Sequence, residues 1–203
     1  NMITSNPYIG ERKAGTVGMV LEDVEIRIAD LEIEDEVKKI GDIGVVEVKG
    51  PNVFKGYWKQ PEKTKSEFRD DGYFITGDMG FLDQDKYLTI VGRNKDLIIT
   101  GGLNVYPKEI ETVIDQDSKV DESAVVGVSH PDFGEGILAI IVEKKGHSIN
   151  LDVLNETLRK NLAAFKLPKK IHVIKELPRN SMGKVQKNVL RDIYRDEFSD
   201  TNK

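Results

Sequence analysis

Apolar positions repeat with period two in the first half of the chain, and with mixed periods of two and 3.6 in the second. Val24-Glu25-Ile26-Arg27-Ile28 alternates strictly and predicts a half-buried strand. Gly44 to Gly50 predicts a second strand bounded by glycines, and Tyr87 to Val91 a further one. A short helix is expected over Pro61 to Phe68, preceded by an aromatic cluster, Phe54, Tyr57 and Trp58, that reads as core packing under a sheet. Asn1 to Leu21 is turn-rich and reads as irregular surface, and Glu32 to Asp42 as an acidic loop. Gly92 to Asp96 is one glycine with four polar residues, a joint with nothing to bury and a backbone free to pivot.

Beyond the joint, Leu97 to Thr100 is a short apolar run, Gly101-Gly102 a turn, and Pro107 the start of a helix with Ile110, Val113 and Ile114 on one face. Ser123 to Val128 and Ile137 to Val142 predict buried strands around a turn at His130 to Glu135. Leu151, Leu154, Leu158 and Leu162 stripe a second helix, and Ile171 to Ile174 predicts a third strand. Val189, Leu190, Ile193 and Tyr194 mark a last helix, fraying from Phe198 on. Helices and strands interleave without a strict βαβ repeat, so the class is α+β. The expected division is a β-rich part, 1–91, and a small mixed part, 92–203, with a short sheet flanked by helices and a hinge at 92–96.

The 203 residues carry a formal net charge of -5 with both signs interspersed, which argues against a nucleic-acid partner. With no cysteine, no disulfide, thiol nucleophile or thiolate metal site is possible. His130, His147 and His172 lack ligand spacing, so no metal site is expected in the chain. No apolar run approaches the ~20 residues of a membrane span. The chain opens at Asn1, so a targeting segment is not observable; a cytoplasmic location is expected, with a mitochondrial one open.

Three polar positions are candidates for chemistry. Asp78 sits among glycines in Gly72-Tyr73-Phe74-Ile75-Thr76-Gly77-Asp78-Met79-Gly80, placed either to accept hydrogen bonds from a ligand or to close an Asx-turn. Arg93 is a fixed cation, or a surface arginine paired with Asp83 or Asp85. Lys184 follows Gly183 in a loop that opens at Pro178, but no Walker A pattern surrounds it, and by itself it is one surface lysine among many.

Four stretches together resemble the AMP-forming acyl-CoA synthetases of the adenylate-forming superfamily. They are Gly92-Arg93-Asn94-Lys95-Asp96 through Gly101-Gly102 to Glu111, the Asp78 stretch, the Gly-Pro-x-x-Phe-x-Gly-Tyr-Trp run from Gly50 to Trp58, and Pro178 to Lys184 followed by Leu190-Arg191. The resemblance covers essentially the whole chain, but only the carboxy-terminal part of such enzymes. It implies that Asp78 holds the ribose hydroxyls of ATP, that Arg93 contacts ribose and phosphates, and that Lys95 is the pivot of the smaller domain. Gly101 and Gly102 would line the pantetheine tunnel of coenzyme A, and Lys184 would be the catalytic lysine. Thr4-Ser5-Asn6-Pro7-Tyr8 and the run from Gly10 to Gly18 are similar to the malonyl-CoA synthetase branch.

By that resemblance residues 1–91 end a large adenylation domain, and the phosphate loop, the adenine pocket, the Mg2+-binding glutamate and the acid pocket lie in a missing amino-terminal half. The implied reactants are a small carboxylic acid, malonate first, with ATP, Mg2+ and coenzyme A, and the isolated chain is expected to be inactive. Two rivals stand beside this: the same chemistry on a fatty or aryl acid, and a non-catalytic nucleotide-binding module.

Overall fold

The computed structural model describes residues 2–31, 33 and 36–199, and divides between Lys95 and Asp96 into two compact units. The acidic loop expected from Glu32 to Asp42 falls partly outside the described residues, as do the last four positions.

In the first unit, β1 (Thr4–Ser5) pairs antiparallel with β2 (Met19–Val20), where the sequence reads as irregular. Two-residue strands are too short for alternation to show. Next come β3 (Glu25–Ala29), β4 (Gly44–Lys49), α1 (Pro61–Glu67), β5 (Phe74–Leu82) and β6 (Leu88–Arg93). The last four strands form an antiparallel meander in the order β3-β4-β5-β6. Ile28, Val46, Val48 and Leu88 bury one face, with Phe74 and Leu82 against them. The other face of β4 carries Glu47, which is fully buried (0% exposed). Its carboxylate accepts from Arg27 Nε at 2.7 Å and Arg69 Nε at 2.8 Å, and Arg27 stands directly opposite it in the β3–β4 register.

The aromatic cluster divides. Phe54 packs edge-on against Tyr57, Phe68 and Phe74 at 5.0, 5.4 and 5.0 Å. Trp58 is instead 85% exposed, which overturns core packing for the tryptophan. The backbone turns on either side of it, at Gly56 (φ +148) and Lys59 (φ +55), and carries the indole away from the cluster.

The joint is shorter than its composition implies. Gly92 and Arg93 belong to β6, opposite Met79 and Asp78, and only Asn94–Asp96 leaves the ladder, as a 3-10 turn. A ladder needs backbone donors and acceptors, which polar residues supply as well as apolar ones.

The second unit holds β7 (Ile98–Thr100), β8 (Leu103–Val105), α2 (Pro107–Ile114), β9 (Val120–His130), β10 (Gly134–Glu143), α3 (Leu151–Asn161), β11 (Lys170–Ile174) and α4 (Lys187–Ile193). β10 is central, antiparallel to β9 and parallel to β11, with Gly134 also pairing Thr100 of β7. Both faces of this sheet are buried, which is why β9 and β10 read as continuous apolar runs. Val125, Ile137, Ala139 and Ile141 pack with Ile110 and Ile114 of α2 and Leu154 and Leu158 of α3. Val126, Leu138 and Ile140 pack on the opposite face with Leu177 and with Leu190 of α4. Asn150 caps α3, its side chain accepting from the Asp152 and Val153 amides at 3.0 and 3.2 Å.

Phe198 is not frayed. It packs against the second of these core faces, its ring 5.2 Å from that of His130, and a Cβ on Gly136 would lie 2.4 Å from it. Tyr194 stacks on His172 at 4.9 Å, and Glu197 meets Lys170 at 2.8 Å and His172 at 3.1 Å. The hydrogen bond from Lys170 holds the Glu197 carboxyl below its ordinary 4.5, with the His172 contact adding to it and burial opposing both. A depressed folded pKa stabilises this docking above the ordinary value and is lost as the pH falls through the folded one. Phe198 ring resonances are therefore expected to shift during acid titration below pH 4.5, and to stay flat over that range in Glu197→Gln.

Candidate functional site

Asp78 and Arg93 are brought together by the β5–β6 register, directly opposite each other beside a bulge at Met79/Gly80. Arg93 Nε lies 2.8 Å from Asp78 Oδ1, and its Nη1 donates to the Thr76 carbonyl at 3.4 Å. Asp78 is therefore inside a strand rather than at its end, and the Asx-turn alternative fails. Its N–H donates instead to Thr76 Oγ1 at 3.0 Å. The alternative partners of Arg93 are engaged elsewhere: Asp83 and Asp85 both pair with Lys13. Half-burial pushes the Asp78 carboxyl above its ordinary value, opposed by the Arg93 charge. Neighbouring Gly77 has φ +72, a conformation costly for other residues. Lys95 is exposed in the 3-10 turn and is the last residue of the first unit.

In the second unit, Gly101 and Gly102 form the two-residue turn of the β7–β8 hairpin, with φ +57 and +78. Both signs match the primed turns that hairpins favour. Gly101 N–H donates to the Phe133 carbonyl at 2.8 Å, which ties this turn to the β9–β10 turn.

Lys184 lies in a loop closed on itself, with Arg179 bridging Val185 across it. Gly183 turns the chain with φ +77. Asn180 donates its N–H to the Lys184 carbonyl at 3.0 Å and accepts the Lys184 N–H on Oδ1 at 2.9 Å. Arg179 donates to the Gly183 carbonyl at 2.7 Å and pairs with Glu122 of β9. The Lys184 side chain is exposed, and among the described residues no ion pair or hydrogen bond holds its ammonium. The loop thus fixes a backbone while leaving a cation at its tip.

Sequence reading missed the groups that fix the helix after this loop. Lys187 Nζ is 2.6 Å from Glu111 of α2, a residue 7% exposed whose Oε1 also accepts the Val125 N–H at 2.9 Å. Arg191 meets Asp96 at 2.8 Å. The available signal was spacing: Lys187 and Arg191 are four apart and share a face of α4.

Among the described residues no group of three or more His, Asp or Glu is placed to hold a metal ion, and no helix is long and apolar enough to cross a membrane.

Residues 109–184 match the AMP-binding enzyme C-terminal domain, and Lys184 is the last residue matched. Likeness extends beyond this stretch. The chain is 57% identical to the ATP-bound MatB of Rhodopseudomonas palustris, with a TM-score of 0.92 over 98% of this chain and 39% of that one. It is 40% identical to the malonate–CoA ligase of Arabidopsis thaliana, over 94% of this chain and 32% of that protein. It is equally 40% identical to a long-chain-fatty-acid–CoA ligase of Haemophilus influenzae, over 94% of this chain and 33% of that one. The chain therefore spans about a third of the length of these curated relatives. The family match falls inside the second unit, and the longer alignments take in the first as well.

Proposed function

We propose that the chain is the carboxy-terminal third of an AMP-forming acid–CoA ligase, and that its acid is malonate. The observation that carries the reading is the Lys184 loop at the end of an AMP-binding enzyme C-terminal domain, with its backbone pinned and its ammonium unengaged. In the first half-reaction a carboxylate oxygen attacks the α-phosphorus of ATP, forming the acyl-adenylate and releasing pyrophosphate. Negative charge grows on the phosphoryl oxygens, and the Lys184 ammonium stabilises it there. Asp78, with two acceptor oxygens, suits the two donors of the ribose diol, and Arg93 suits ribose and phosphate. In the second half-reaction the coenzyme A thiol displaces AMP. Lys184 withdraws by rotation about Lys95, and the Gly101-Gly102 turn forms the slim wall past which the pantetheine arm reaches the adenylate. A Mg2+ ion brought with ATP would supply charge neutralisation at the phosphates, and the residues that would hold it lie outside those named here.

Malonate is favoured by the likeness of Thr4 to Gly18 to malonyl-CoA synthetases and by the Arabidopsis relative. The Haemophilus relative supports a long-chain fatty acid as the second reading. ATP–pyrophosphate exchange decides, run on the chain and on the full-length protein with malonate, acetate, octanoate and benzoate. Malonate-dependent exchange by the full-length protein alone is the expected result. Exchange driven best by octanoate would transfer the assignment to fatty acids.

Asp78→Asn keeps the shape but turns one acceptor into a donor. Nucleotide binding by the full-length protein is expected to weaken by about 10-fold to 100-fold, from a charge-assisted bond of ~1.5–3 kcal/mol. Thermal stability should change little, because the ion pair with Arg93 is partly exposed and the loss of the charge relieves the cost of its half-burial. Calorimetric titration with AMP checks the first statement and a melting curve the second.

A further inference from the structure

We infer that Arg179 and Asn180 are positioning residues for Lys184, an inference that rests on the role proposed for that lysine. Asn180 grips the lysine's peptide groups from both sides, through the 2.9 Å bond to its N–H and the 3.0 Å bond to its carbonyl. The same Oδ1 accepts the Met182 N–H at 3.0 Å, and the Asn180 carbonyl accepts the Gly183 N–H at 2.9 Å. One residue, through two bonds to its side chain and two to its own peptide groups, therefore sets the turn that precedes the cation. Arg179 supplies the external anchor. One guanidinium nitrogen donates to the Gly183 carbonyl at 2.7 Å, immediately before Lys184, and the other pairs with Glu122. Glu122 lies opposite Val142 near the end of the β9–β10 ladder, so the planar guanidinium ties the loop to the central strand pair of the unit.

A lysine head on four methylenes is steered only through the position of its Cα and the direction of its Cα–Cβ bond. Both are set here by the two residues before Ser181. A plain structural account of these bonds makes a different prediction. Arg179 and Glu122 are 43% and 27% exposed, and pairs so exposed add little to stability. On that account their loss changes neither folding nor rate. As positioning residues they matter to the half-reaction that uses Lys184 and leave the other half-reaction intact.

The test compares Asn180→Ala, Asn180→Asp, Arg179→Ala and Lys184→Ala in the full-length ligase. Adenylation is read by ATP–pyrophosphate exchange, and thioester formation from preformed acyl-adenylate and coenzyme A. Asn180→Ala and Arg179→Ala are expected to lower kcat for exchange by about 10-fold to 100-fold, the scale of a ~1 Å misplacement, with KM for ATP and the thioester step unchanged. Asn180→Asp should restore exchange, because a carboxylate oxygen accepts the same two N–H groups. In the 203-residue chain, hydrogen exchange at the Lys184 amide should quicken in Asn180→Ala and not in Asn180→Asp. Full exchange activity in Asn180→Ala and Arg179→Ala, beside a dead Lys184→Ala, overturns the positioning role. Equal loss of both half-reactions also overturns it, since it marks general damage. An active Lys184→Ala overturns the underlying reading of the lysine instead.

Discussion

Lys184→Ala in the full-length protein is expected to slow adenylation by about 10²–10³-fold, the usual cost of removing one donor aimed at developing charge. The fold should survive, because the side chain is exposed and the turn is held by Asn180 and Arg179 rather than by the lysine stem. Thioester formation from preformed adenylate should proceed at its normal rate, since the proposed second half-reaction takes place with Lys184 withdrawn. Lys184→Arg keeps the charge but replaces a compact ammonium by a wide planar fork, so partial activity at most is expected. The measurement is ATP–pyrophosphate exchange beside a single-turnover thioester assay. A variant that adenylates normally while remaining folded would remove Lys184 from the chemistry and leave a binding module as the better reading.

Glu47→Ala should be the most damaging single change in the first unit. The carboxylate is fully buried and shared by Arg27 and Arg69. Its removal takes away the buried carboxylate that both guanidinium groups share, while Asp71 still holds one side of Arg27. Breaking a buried pair from one side costs ~3–5 kcal/mol. That corresponds to a loss of at least about 100-fold in hydrogen-exchange protection at the amides of β4 and β5, if these open globally. Protection in β9 and β10, in the other unit, is the internal reference. Glu47→Gln should lose less, because an amide oxygen still accepts from one arginine. Unchanged protection in Glu47→Ala would mean that water already reaches both guanidinium groups.

Most of the regular structure was legible because periodicity reports which face of an element is buried. Residues outside that logic were not. Glu47 sits in Val46-Glu47-Val48, where alternation labels it the wet position; its burial comes from arginines on β3 and in the Phe68–Tyr73 region, which no local pattern reveals. The pairing of Asp78 with Arg93 depends on a bulge that shifts the register by one strand position, and a one-residue slip would have put them on opposite faces. Trp58 looked like core because it follows Phe54 and Tyr57, whose rings pack together, yet positive φ values on both sides turn it outward. Phe198 looked frayed because it lies close to the last residue of the sequence, yet the bare side of Gly136 makes room for its ring. For the site, the motif at Pro178 to Lys184 pointed to a lysine. That Asn180 holds both of its peptide groups could not be read from spacing.

The two sheets also differ in how they can be assembled over time. Each strand of the first meander pairs with the strand next in order, and the longest connection to close is the step from β4 to β5 across α1. In the second unit β10 must wait for two distant partners: Gly134 meets Thr100 at one end, and Leu138 meets Lys170 only after α3 has crossed over. Loop closure of that kind costs entropy before any pairing returns it, which makes non-local sheets slow to form. The half that carries Lys184 is thus the kinetically late half, and until β11 docks, the apolar edge of β10 is the surface on which a newly made chain is most exposed to misassociation.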